Sequence, residues 1–214
     1  MKLITPFSKI ICDTRLDLSD DDYRRIEEYL PQLELFQRTD NSMAITTPST
    51  EEHLIAVGSK NRFILDHEPL LFLKDKIMEQ FNIFKNDYMR YTKNDFIINT
   101  SWYTYSQPNA GAGFHMHTNC MFSGVFYIKV PENSGDIIFD PHSDRRFSPV
   151  PQDYNIYNAT SWRITPQRGQ LLFFDSSIYH KIDFNNSKDT RISLAFNMLP
   201  IGEIGEADSY LKIG

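Results

Sequence analysis

From Phe96 onward the chain is written in short apolar runs broken by turn residues, a grammar that restricts it to a β-rich core. Phe96 to Tyr105 is the first run, and Ser106 to Gly113 is a turn-rich loop. Met121 to Val130 follows, stopped by Pro131, Asn133, Ser134 and Gly135, and Asp136–Phe139 is expected to return against it as a hairpin. Residues 141–160 read as a long loop, and loops of that length inside a compact domain tend to be functional lids or disordered. Trp162–Thr165 and Gln170–Phe174 are expected to pair about a turn at Pro166–Gly169, and Arg191 to Leu199 is the last clear strand.

The first 95 residues follow a different period. Leu3, Phe7, Ile10 and Ile11 suggest an edge strand. Ser19-Asp20-Asp21-Asp22 reads as a capping box, with Leu18 and Tyr23 as its hydrophobic staple. The helix it starts runs on Tyr23, Ile26 and Leu30 and stops at Pro31. Residues 37–50 are polar loop, and Ser49-Thr50-Glu51-Glu52 is expected to cap a second short helix ending at Gly58. From Glu68 to about Tyr91 the residues Leu70, Leu73, Ile77, Phe81, Phe84 and Tyr88 step by three and four, one stripe of a helix packed on a sheet. Pro69 stands where a first-turn proline is tolerated. The fold class is therefore mainly β with flanking helices (α+β), a sandwich or jelly roll. One domain spans 1–214, with an N-terminal helical buttress (1–95), a β core (96–199) and a C-terminal tail (200–214).

Composition narrows the class of partner. A formal charge of −6 offers no basic footprint, so nucleic acid is not the expected partner. Cys12 and Cys120 make no disulfide framework and fit a reducing compartment. No apolar run reaches membrane-spanning length, so a soluble, cytoplasmic protein is the expectation. Oligomeric state has no readable signature.

The chemistry-bearing stretch is Gly113-Phe114-His115-Met116-His117-Thr118-Asn119. In an extended chain residues i and i+2 share a face, so both imidazoles can converge on one point. His180 follows a later strand-like run, and Arg191-Ile192-Ser193 opens a further one. Alternation sets Arg191, Ser193, Ala195 and Asn197 on one face and Ile192, Leu194, Phe196 and Met198 on the other. An arginine turned into a β core is costly unless an anion meets it there, and its planar fork suits a carboxylate. A lone histidine is more often structural than a ligand; three in this order read as a metal site.

These motifs resemble the Fe(II)/2-oxoglutarate-dependent oxygenases, most closely the small, uncharacterised oxygenase-like proteins of phages and marine bacteria. The resemblance rests on His115-Met116-His117, on Ser123 to Val130, on Gly169 to Phe174 with His180, and on Arg191 to Asn197. It implies a double-stranded β-helix (jelly-roll) core, an iron site at its mouth, and oxidative decarboxylation of 2-oxoglutarate to succinate. It further implies Fe(II) on His115, His117 and His180, with the distal carboxylate of the cosubstrate on Arg191, helped by Ser193 and by Tyr103 or Tyr127. The expected partners are that small-molecule cosubstrate and a primary substrate, a protein or a metabolite. Trp102 and Asn119 are candidates to touch the substrate.

One departure matters. The superfamily pattern is H-x-D followed by a distant His, and here His117 stands at the carboxylate position. Either three imidazoles bind the metal, or His117 turns away and another group completes the sphere; Asp136, Asp140 and Asp175 lack the expected position. Two other readings stay open: a cupin-like three-histidine dioxygenase that does not use 2-oxoglutarate, and a jelly-roll binding module without activity.

Overall fold

The computed structural model describes residues 2, 8–37, 56–140, 147 and 149–214. The cap of the expected second short helix, at 49–52, lies outside them, as do Leu3 and Phe7 of the early strand signals and residues 141–146 and 148 of the long loop.

Two antiparallel sheets face each other. The main sheet has the order β1 (Ile11–Arg15), β9 (Gln170–Asp175), β6 (Phe122–Lys129), β11 (Arg191–Ile204), β4 (Asp95–Ser106), β3 (Val57–Ser59) and β2 (Leu35–Gln37). β12 (Leu211–Ile213) pairs with the far end of β11. The minor sheet runs β5 (Ala112–His115), β10 (Tyr179–Ile182), β7 (Ile137–Asp140) and β8 (Trp162–Ile164). This arrangement is the jelly roll expected.

Period-2 alternation gives the main sheet two apolar faces. Val125, Tyr127, Leu172 and Phe174 point toward Ile137, Phe139 and Ile178 and form the inter-sheet core. Phe122, Phe126, Phe173, Leu194, Phe196 and Met198 point the other way, against the helices. There α1 (Asp20–Tyr29) and α2 (Leu71–Ile83) lie on the sheet. The capping box at the start of α1 forms as read, Ser19 Oγ accepting from Asp22 N and Asp22 Oδ2 accepting from Ser19 N. In α2 the stripe Leu73, Ile77 and Phe81 is wholly buried, and the Phe81 ring sits 5.2–5.6 Å from those of Phe96, Phe122 and Phe173. At Gly124 a Cβ would come within 2.4 Å of the Phe196 ring, so β6 carries no side chain where that ring crosses it.

Several expectations need correction. The periodic segment 68–91 is not one helix: a 3₁₀ turn at Glu68–Leu70 precedes α2, and a π turn at Phe84–Tyr88 ends it, leaving Tyr88 exposed. The segment read as a helical buttress also contributes β1, β2 and β3 to the main sheet, and Gly58 lies in β3 instead of ending a helix. Neither expected hairpin forms. β7 pairs with β10 and β8, while β6 pairs with β9 and β11. β8 joins β7, while β9 lies between β1 and β6. In both cases the connecting turn carries the chain from one sheet to the other. Gly135, at φ +89°, makes the first crossing, where a Cβ would meet the Asp183 carbonyl at 2.2 Å. The tail continues β11 to Ile204 and returns as β12.

Candidate metal and cosubstrate site

His115 ends β5 and stands directly opposite His180 on β10. His117 lies just beyond β5, its backbone N–H donating to the Ser176 carbonyl. The three rings meet at one end of the inter-sheet core, with centroids 4.3 Å (His115–His180), 5.2 Å (His117–His180) and 5.4 Å (His115–His117) apart. One ring nitrogen from each lies within 4.8 Å of the others.

Each ring is held through Nδ1. His115 Nδ1 donates to the Gly113 carbonyl (2.8 Å), and His180 Nδ1 to the Ile178 carbonyl (2.9 Å). His117 Nδ1 donates to Asn197 Oδ1 at 2.6 Å. Ser123 Oγ also donates to Asn197 Oδ1, and Asn197 Nδ2 donates to Thr100 Oγ1. A proton on Nδ1 leaves the lone pair on Nε2, the tautomer a metal requires. Burial and the neighbouring His115 push His180 down to about 3, so its ring is neutral and ready to ligate. The donor set thus fits a divalent transition metal, and His117 is turned in with the other two. Among the described residues no carboxylate joins the cluster. Asp136 pairs with Arg163, and Asp175 accepts from the Ser177 backbone N–H in its own turn.

Arg191 opens β11 opposite Ser106 and is 97% removed from solvent. Its Nη1 donates to the carbonyls of Ser134 and Gly135 at 2.8 Å, and its Nη2 to Ser106 Oγ at 3.3 Å. The guanidinium therefore ties the main sheet to the crossing segment. Its Nε is buried with no hydrogen-bond partner, and no ion pair forms with it among the described residues. Burial lowers its pKa, against the attraction of Tyr127 and Asp136. A buried charge met only by carbonyl and hydroxyl dipoles is incomplete, and a carboxylate completes it.

Two chambers meet at the histidines. The inner one, about 100 Å³, runs between the sheets and is lined by Arg191, Ser193, Tyr127, Ile137, His115 and His180 among others. The outer one, about 270 Å³, opens to solvent between Arg62, Thr100, Met116, Thr118 and Asn197. Trp102, His115 and His117 line both.

The chambers sort the candidates. Tyr127 faces the inner chamber beside Arg191, its hydroxyl pushed up to about 12 chiefly by burial. Ser193 lines the same wall. Tyr103 belongs to the opposite face of β4, in the helix-side core next to Tyr105, and does not line the chamber as expected, because strand alternation gives that face to Trp102 and Thr104. Trp102 lines both chambers; Asn119 lines neither, its carbonyl accepting from Asn99. Sequence reasoning assigned no role to Asn197, Ser123 or Arg62. The face shared with Arg191 was the one signal for Asn197; Arg62, in an irregular segment, had none.

Residues 100–197 match a family model described as "Putative 2OG-Fe(II) oxygenase". No curated protein is detectably similar in sequence. Solved structures share the fold at low identity. The α-ketoglutarate-dependent epimerase SnoN of nogalamycin biosynthesis is 10% identical, with TM-score 0.63 over 88% of this chain and 76% of that one. A Pseudomonas putida prolyl-4-hydroxylase is 15% identical, with TM-score 0.54 over 87% and 91%. HygX from Streptomyces hygroscopicus, solved with nickel, 2-oxoglutarate and hygromycin B, is 10% identical, with TM-score 0.57 over 89% and 82%.

Proposed function

We propose that this chain, which belongs to the 2OG-Fe(II) oxygenase superfamily through its core at residues 100–197, is a hydroxylase that holds Fe(II) on His115, His117 and His180 and anchors 2-oxoglutarate on Arg191. The observation that carries the assignment of roles is the buried Arg191 guanidinium, without an acidic partner among the described residues, in the wall of a chamber that three convergent imidazoles also line.

The chain's own residues divide the work. Gly113, Ile178 and Asn197 supply the oxygen atoms that fix the three tautomers, so the rings need no reorganisation to receive the metal. Arg191 offers Nε and Nη2 to the distal carboxylate, and Ser193 adds a hydroxyl on the same wall. Tyr127 and Ile137, both buried, line the inner chamber beside Arg191, and the low-dielectric wall they provide strengthens that ion pair. When bound, Fe(II) with 2-oxoglutarate and O₂ supplies a two-electron oxidation of the substrate, coupled to conversion of 2-oxoglutarate to succinate and CO₂. With three neutral imidazoles the donor set carries no negative charge of its own, unlike the two-histidine, one-carboxylate set. The outer chamber is where a primary substrate meets the site, and the domain 1–214 acts as one unit.

The test is anaerobic. Fe(II) and then 2-oxoglutarate are added to purified protein, the visible metal-to-ligand charge-transfer band is followed, and succinate is assayed after oxygen is admitted. A band lost in His180→Ala, with slow succinate formation in wild type, is the expected outcome. Iron binding without the band would replace this reading with a three-histidine dioxygenase independent of 2-oxoglutarate. For a substrate once found, gain of one oxygen atom by mass marks hydroxylation.

A further inference from the structure

Among the described residues, Arg62 is the one Lys, Arg, Asp or Glu in the wall of the outer chamber. It lies in the irregular segment after β3, and that segment is pinned to β4. Its backbone carbonyl accepts from Ser101 N at 2.7 Å, Phe63 bridges to Ser101, and Leu65 N donates to Ser101 Oγ. These bonds set Arg62 beside Trp102, with the guanidinium carbon 5.9 Å from the indole ring. The indole in turn stands 5.6 Å from His117. Arg62, Trp102 and His117 therefore form a row leading from the chamber's rim to the histidine cluster.

Arg62 is half-buried, and among the described residues it makes no ion pair. Burial lowers its pKa, and among the described residues no carboxylate offsets that shift. Beside His115 and His117, the described wall offers the hydroxyls of Thr100 and Thr118, the amide of Asn197, the thioether of Met116 and the indole of Trp102. The protein as a whole carries a formal charge of −6, so its average surface repels anions, and a cation without an acidic partner among the described residues works against that background beside the site. A guanidinium held in place, partly desolvated and lacking an acid suits a planar carboxylate. The indole face next to it suits an apolar or aromatic body.

We propose that the outer chamber selects a small primary substrate bearing a carboxylate, which pairs with Arg62 while its apolar body lies on Trp102 and reaches the histidines. Arg62 is a specificity-determining residue, distinct from Arg191, which faces the inner chamber. The inference rests on the oxygenase reading for what happens to the substrate, but its binding step is testable apart from it.

The probes are matched acids and amides: phenylacetate with phenylacetamide, and hexanoate with hexanamide, with phenyl phosphate as a third anion. Binding to the full chain is followed by ligand-observed NMR, with and without Co(II) and saturating 2-oxoglutarate under anaerobic conditions, in wild type, Arg62→Gln and Arg62→Lys. At least one acid should bind about tenfold more tightly than its amide, with 2-oxoglutarate present, and Arg62→Gln should erase that preference while Arg62→Lys keeps part of it. The affinity of Arg62→Gln for 2-oxoglutarate should equal that of wild type. Equal binding of acid and amide in every pair overturns the proposal, as does a preference that survives Arg62→Gln. Tighter binding of phenyl phosphate than of phenylacetate overturns the carboxylate assignment. Loss of 2-oxoglutarate affinity in Arg62→Gln would move Arg62 to the cosubstrate site and also end the proposal, with the oxygenase reading intact. Conversely, wild type that fails to bind Co(II) or 2-oxoglutarate yet prefers acid to amide through Arg62 keeps this inference and removes the oxygenase reading.

Discussion

The two faces of β11 show how one strand serves two purposes. On the helix side Leu194, Phe196 and Met198 are fully buried against α2 and the aromatic cluster around Phe81. On the other side Arg191 and Ser193 line the inner chamber, and Asn197 holds His117 at the outer one. The first face is dry and well packed; the second keeps polar atoms unsatisfied or facing open space. Adjacent residues along the strand thus separate stability from chemistry, because the pleat sends neighbours to opposite sides. A β core of this kind can carry a charged, incompletely partnered site on one surface because the other surface supplies the burial.

That division can be broken or sharpened by mutation. The largest effect is expected from Phe81→Ala on the dry side, a loss of about 3–5 kcal/mol by thermal or denaturant unfolding, with Co(II) affinity of the remaining folded protein unchanged. A matching loss of metal affinity would show that the two faces are not separable. Next comes Arg191→Ala, expected to weaken 2-oxoglutarate binding about 100-fold in calorimetry, since about two charge-assisted hydrogen bonds are lost, while Co(II) binding persists. Retention of wild-type cosubstrate affinity would remove Arg191 from its role. Asn197→Leu removes the acceptor that orients His117 and is expected to cost about 10–100-fold in Co(II) affinity. Asn197→Asp keeps an acceptor and should recover most of it; if both variants bind like wild type, His117 does not need Asn197. The smallest change is Ser193→Ala, about tenfold in 2-oxoglutarate affinity with the melting temperature held, matching one hydrogen bond to the carboxylate at the weak end of its range. No change would leave Ser193 as wall alone.

Much of this division was legible in the residues. The step from helical to strand period near residue 95 placed the β core, and the capping box at Ser19–Asp22 started a helix where it was read. His115 and His117 two apart, and Arg191 with Ser193 two apart, declared shared faces before any fold was known. Those signals are local: side-chain period and cap chemistry depend on a few consecutive residues.

What the chain could not declare is which strand lies beside which. Both faces of β6 and β9 are apolar, so Phe122–Lys129 and Gln170–Asp175 offered no polar edge to mark a partner, and adjacent segments looked like hairpins. The tertiary structure sends each neighbour to the opposite sheet, and that crossing brings His180 from β10 against His115 on β5. The same assembly turned Tyr103 away from the chamber it was expected to line. It also set Arg62, an unmarked residue in an irregular segment, beside Trp102 through bonds to Ser101 far along the chain. The sequence by itself determined which residues share a face and which chemistry they carry. Only the tertiary structure decided which faces meet, because pairing two apolar surfaces is non-directional and is settled by how every strand packs at once.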